Sequence, residues 1–156
     1  MITIEGIKDF TIGFFASMEL KYSSLHVTEK EHKIYIQVIP EEGHAPLYIG
    51  FRGGNLNAMQ HLLKSMLWGK LLPKDSFLSL DIDFYREKNE KKILEILHAK
   101  IATLTETGEV QVMKALSPSD RRLVHLTVQE KFYDTVETES FTNEEKIRVL
   151  KISQKN

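Results

Sequence analysis

The chain has 156 residues, 42% hydrophobic and 28% charged, which is enough apolar side chain for one large core or two small ones. It has no cysteine, which excludes disulfides and thiolate metal sites or nucleophiles and is compatible with a cytoplasmic location. The net charge is −1 and evenly spread: residues 1–80 hold 8 Lys/Arg and 8 Asp/Glu, and residues 81–156 hold the remaining 13 and 14 of the totals of 21 and 22, so a surface for a polyanion must be a local patch.

No apolar run is long enough to span a bilayer and no signal-type start precedes the first element, so membrane insertion is not expected. The six histidines lack metal-type spacing, and neither a metal nor another cofactor is expected.

Along the chain, Ile4, Ile7, Phe10, Phe14, Phe15 and Met18 recur at helical spacing and predict a helix starting near Ile4 or Ile7. Leu25–Thr28 and Ile34–Ile39 read as two strands joined through Glu29–His32, the second ended by Pro40 and Glu41-Glu42-Gly43. A short turn leads to Gly50-Phe51-Arg52-Gly53. Leu56, Met59, Leu62, Leu63, Met66 and Leu67 then form a helical stripe that Gly69 and Pro73 stop, with Met59 and Met66 expected in the core. Phe77–Asp83 alternates as a half-buried strand. The second half predicts a helix through Ile93, Leu94, Leu97, Ile101 and Leu104, a short strand at Val110–Val112, a helix from about Pro118 to Phe132, and strands near Val136–Ser140 and Ile147–Ile152. The expected class is α+β, in two small α/β-sandwich-like domains, residues 1–82 and 83–156.

Two stretches carry chemistry. In Gly50-Phe51-Arg52-Gly53 the glycines permit positive φ and close approach of the backbone to a partner, with a cation between them. The helix that follows adds N–H donors and the positive end of its dipole. The plainer alternative is a turn that opens a helix. In Ser117-Pro118-Ser119-Asp120-Arg121-Arg122-Leu123-Val124-His125, Ser117 is placed to cap, Pro118 to start the helix and Asp120 to complete a capping box. Arg121 and His125 then share one helix face and could bridge a phosphate. Alternatively His125 packs on a sheet and Arg121 pairs with Asp120 or Glu137.

Elsewhere structural roles are expected: Tyr85 seating a helix start, Arg86 pairing with Asp83 or a C-terminal acid, Lys88, Lys91 and Lys92 on a solvated face, and Trp68 at a core edge or interface. Catalysis is not expected. No nucleophile elbow or oxyanion loop accompanies Ser117 or Ser119, and Asp81 and Asp83 have no further carboxylates with which to hold Mg²⁺.

The order of the first half, with its Gly-x-x-Gly loop, resembles a KH domain in the prokaryotic arrangement. The Arg121–His125 pair resembles the R-3-H motif. Ile49–Gly53 with Leu56, Ala58 and Gln60, Asp81–Lys88, and Arg121–His125 with Val136–Ser140 together resemble the bacterial Jag family (SpoIIIJ-associated proteins, KhpB/EloR type), which joins the two domains in this order. The resemblance implies a KH domain over 1–82, an R-3-H domain over 83–156, and cytoplasmic binding of single-stranded RNA or DNA, most naturally RNA. The implied contacts are Gly50, Phe51, Arg52, Gly53, Arg121, Arg122, His125 and Arg148. It further implies post-transcriptional regulation linked to cell elongation and division, and a homodimer or a heterodimer with a small single-KH protein. Phe51 stands where the family usually has a basic residue, Ile147 where it commonly has the first of two arginines, and many members carry a further N-terminal domain absent from this sequence. The near-neutral charge, Phe51 and Ile147 motivate the alternative of a protein-interaction module with a degenerate nucleic-acid face.

Overall fold

Thr3 opens the first element: its hydroxyl accepts the Gly6 N–H (3.1 Å) and caps helix α1 (Ile4–Ser17) in the computed structural model, which describes residues 3–155. Ile7, Phe14 and Phe15 bury one face of α1. Thr11 is buried among them because its hydroxyl returns to Ile7 O at 2.7 Å. Strands β1 (Tyr22–Lys30) and β2 (Lys33–Pro40) form an antiparallel hairpin in which Lys30 pairs with Lys33. Glu31 and His32, at φ 50° and 60°, supply the paired left-handed residues of a tight hairpin turn.

Between β2 and the Gly-x-x-Gly stretch the sequence predicts only a short turn; the structure has a helix, α2 (Ala45–Ile49), five residues long. A helix this short does not stand on local propensity. Tyr48 holds it, buried, with its hydroxyl accepting the Lys21 N–H at 2.8 Å. A 3₁₀ turn (Phe51–Gly53) follows, then α3 (Gly54–Leu67) and β3 (Leu78–Ile82). The α2–α3 connection returns the chain so that β3 lies parallel to β2, in the sheet order β1-β2-β3. Ile34, Ile36 and Val38 of β2 and Leu78, Leu80 and Ile82 of β3 meet α1 and α3 in one core. Met66, expected in that core, is 40% exposed: Leu63 and Leu67 take the buried positions of the last turn of α3.

The remaining elements are α4 (Tyr85–Thr107), β4 (Gln111–Lys114), α5 (Pro118–Lys131), β5 (Val136–Thr142) and β6 (Arg148–Gln154). They form an antiparallel sheet in the order β4-β6-β5. Ile93, Leu97, Ile101 and Leu104 of α4 and Val124 and Val128 of α5 bury the face of that sheet carrying Met113, Val136, Leu150 and Ile152. The chain thus separates into two compact α+β units, Met1–Arg86 and Glu87–Asn156, dividing inside the first turn of α4. Among the described residues, no helix is long and apolar enough to cross a membrane.

Candidate nucleic-acid interface

In the first unit the backbone builds the site. Helix α2 ends at Gly50, whose φ of 72° and ψ of −178° lie in a region essentially restricted to glycine. Its N–H caps α2 on Pro46 O at 2.9 Å, and the Gly53 N–H returns to Gly50 O at 3.2 Å. Arg52 is itself left-handed (φ 52°, ψ 35°), as is Gly53 (φ 75°, ψ 15°). Three departures from helical geometry within four residues push the tip of the loop outward. Asn55 secures the base, donating its side-chain amide to Leu47 O at 2.7 Å.

Both glycines are also required by space. A Cβ on Gly50 would stand 2.6 Å from the Asn55 Cγ, and one on Gly53 would stand 2.9 Å from Cε1 of Tyr85. Tyr85 therefore lies against the loop as well as starting α4. Phe51 is 82% exposed, and the Arg52 guanidinium covers one face of its ring at 4.5 Å from the centroid. Phe51 and Arg52, both among the contacts the resemblance implies, thus meet as one unit.

Behind the loop, Arg86 braces α3 to β3. Its guanidinium donates to Leu80 O (3.1 Å), Gln60 Oε1 (2.9 Å) and Asn57 Oδ1 (3.4 Å), while Gln60 Oε1 also accepts the Leu80 N–H (2.9 Å). Asp81 accepts the N–H groups of Ile82 and Arg86. Burial raises the Asp81 carboxyl above its ordinary range, against the opposing pull of those hydrogen bonds and the Arg86 charge. Arg86 was expected to pair with an acid. Its guanidinium also satisfies a backbone carbonyl and two side-chain amides, which fix the helix that follows the loop, and its charge acts on the neighbouring Asp81 carboxyl.

In the second unit the backbone is an ordinary helix and side chains build the site. Ser117 and Asp120 form the predicted capping box: Asp120 N–H to Ser117 Oγ and Ser117 N–H to Asp120 Oδ2, both 3.1 Å. Asp120 Oδ1 also accepts from Asn89 at 2.8 Å. Arg121 does not pair with Asp120 or Glu137, as one expectation had it. Its guanidinium donates to the neutral Leu116 O at 2.8 Å, which orients the cation without neutralising it. Arg122 is exposed on the same turn.

His125 faces the sheet, with Nδ1 2.6 Å from Thr138 Oγ1 and Nε2 3.0 Å from Ser140 Oγ. Burial, and then the nearby Arg121 charge, hold its pKa below the ordinary histidine value, favouring neutral imidazole. With both nitrogens engaged, His125 has no free ring N–H for a phosphate and leaves only its ring face open to contact.

Arg148 begins β6, exposed, with its guanidinium 3.3 Å from Thr142 Oγ1. The connection 132–135 turns the chain back, so α5 and β5 run antiparallel. His125 sits over Thr138 and Ser140. One helical turn earlier is Arg121, and two strand residues later is Thr142, the partner of Arg148. Arg121, Arg122 and Arg148 therefore gather at one end of the α5–β5 pair.

Sequence reasoning missed the Asn55 and Tyr85 contacts that make the glycines obligatory, and the hydroxyls of Thr138 and Ser140. The period-two alternation Val136, Thr138, Ser140 was the available signal for the last pair. No protein-family model matches the chain, and no curated protein matches it.

Proposed function

We propose that the chain is a cytoplasmic single-stranded RNA-binding protein, a binding protein rather than an enzyme, in which the first unit acts as a KH domain and the second as an R-3-H domain. The observation that carries this is the Gly50–Gly53 loop. It joins two helices within a helix–strand–strand–helix–helix–strand order and presents Arg52 outward on a backbone only glycines permit. The cluster of Arg121, Arg122 and Arg148 supplies the second cationic surface, on a chain whose overall charge is −1. By resemblance to the Jag family, the protein takes part in post-transcriptional regulation linked to cell elongation and division.

Fluorescence anisotropy with a labelled single-stranded RNA tests this. Arg52→Glu, and separately Arg121→Ala with Arg148→Ala, are expected to weaken binding tenfold or more. The logarithmic salt slope should fall by about 0.7 for each phosphate that no longer meets a cation. Unchanged affinity in both variants overturns the assignment.

One observation favours a second reading, a protein-interaction module. Leu47, Phe51, Leu62 and Met66, on α2, the loop and α3, are 67%, 82%, 49% and 40% exposed. A stable complex with another KH-type protein, or self-association, without RNA binding at low salt would support it.

A further inference from the structure

A pocket of about 230 Å³ opens beside His125, between the second half of α5 and the edge of β5. This is smaller than the roughly 300–1,000 Å³ of sites for drug-sized molecules. Val128 and Val136, both nearly fully buried, form its apolar floor. Tyr133, 61% exposed, stands at one side and Gln129 at another. Lys155 is at the rim, its Nζ held 2.9 Å from Tyr133 O. The His125 ring is fixed by its bonds to Thr138 and Ser140, so what it offers is a flat ring surface.

The wall formed by β5 carries a second feature. In the antiparallel pair β5–β6, residues that exchange hydrogen bonds alternate with residues that do not. Lys155 N–H donates to Thr135 O at 3.0 Å and Asn143 N–H to Ile147 O at 2.9 Å, which sets the bonded pairs at 135, 137, 139, 141 and 143. Val136, Thr138 and Ser140 consequently turn their peptide groups to the outer edge, because β5 is the last strand of its sheet. The Val136 N–H is taken by Phe132 O. Thr138 is left presenting a donor and an acceptor side by side at the pocket.

We propose that this pocket binds one unpaired nucleobase of the single-stranded RNA, with the ring stacked by Tyr133 and His125, its edge paired to the Thr138 peptide groups, and the adjoining phosphate met by Lys155. The inference rests on the RNA-binding reading and deepens it. Every base offers a donor next to an acceptor and two π-faces, so the pocket grips a base with little discrimination among them. Gln129 lies about 12 Å along α5 from Arg121, so a strand following the β5 edge passes from the arginine cluster to the pocket.

Adenosine 5′-monophosphate and ribose 5-phosphate, added separately at millimolar concentration to the full chain and followed by NMR, separate base from phosphate recognition. The nucleotide is expected to shift the ring signals of Tyr133 and His125 and the Thr138 amide, while ribose 5-phosphate leaves them in place. Tyr133→Ala, a surface change, is expected to weaken single-stranded RNA binding roughly tenfold or more. If ribose 5-phosphate reproduces the shifts, if the nucleotide causes none, or if Tyr133→Ala binds RNA like the parent, the pocket assignment is overturned while RNA binding stands. If the parent binds no RNA, both fall together.

Discussion

At Gly50–Gly53 the backbone does the positioning: three left-handed or extended departures within four residues, two glycines pressed by neighbouring side chains, and a tip where Arg52 rests on Phe51. At Arg121–His125 the backbone is an unremarkable capped helix, and Arg121 and His125 are tied by hydrogen bonds to Leu116, Thr138 and Ser140. The difference separates two ways of presenting a polar surface. The loop can let a ligand's backbone approach closely, but its charge rests on an exposed ring. The helix face holds its groups in place but has already used both nitrogens of its histidine. Changes to the loop should therefore act through conformation, and changes to the helix face through hydrogen bonds and protonation.

The largest expected effect is at Gly50. Gly50→Ala should destabilise the first unit by about 1–3 kcal/mol, since the residue has a glycine-only conformation and its new Cβ meets Asn55. Hydrogen exchange should show faster opening of amides in β1–β3 and unchanged protection in β4–β6. Equal loss in both sheets would break the contrast between the units.

A smaller effect is expected at His125. His125→Ala removes two hydrogen bonds and should cost the second unit about 1–2 kcal/mol at pH 8. Because the folded-state pKa lies below the unfolded one, the unfolded chain takes up the proton first as the pH falls. The stability this histidine contributes is therefore complete above about pH 6.5 and declines in acid through the depressed folded pKa. Denaturant melts from pH 8 to pH 5 should show the gap between parent and His125→Ala narrowing. A gap that widens in acid would mean the imidazole is held charged.

The smallest effect is at the loop tip. Phe51→Arg replaces an 82%-exposed ring with a second cation and should tighten single-stranded RNA binding a few-fold at low salt. The salt slope should steepen by about 0.7. Unchanged slope in anisotropy titrations would mean that position 51 lies off the path of the phosphates.

The periodic elements were legible in the chain. The α1 stripe, the β2 alternation, the α3 stripe and the capping box at Ser117 all stand close to where apolar spacing and cap chemistry predict. Helix α2 was not legible, because five residues carry no usable periodicity and the helix is held by a distant contact, Tyr48 to Lys21. Met66 was misplaced for a related reason: spacing identifies a stripe but not how wide a face the sheet will cover. At the sites, the residue types and their turn-like or helical setting were readable, whereas their partners were not. Nothing local to Arg121 marks Leu116 O over Asp120 as its acceptor, and nothing local to Gly53 marks Tyr85 as its neighbour.

By itself the sequence determined what depends on near neighbours along the chain: helix and strand periods, the cap at Ser117, the positive-φ freedom of Gly50 and Gly53, and the even charge that confines any anion surface to a patch. Tertiary structure alone decided what depends on residues brought from afar. It pressed Tyr85 against Gly53, lowered the His125 pKa by half-burying it against Thr138 and Ser140, and turned the β5 edge toward a pocket. Hydrogen bonds and desolvation act over a few ångströms of space, and distance along the chain does not measure that.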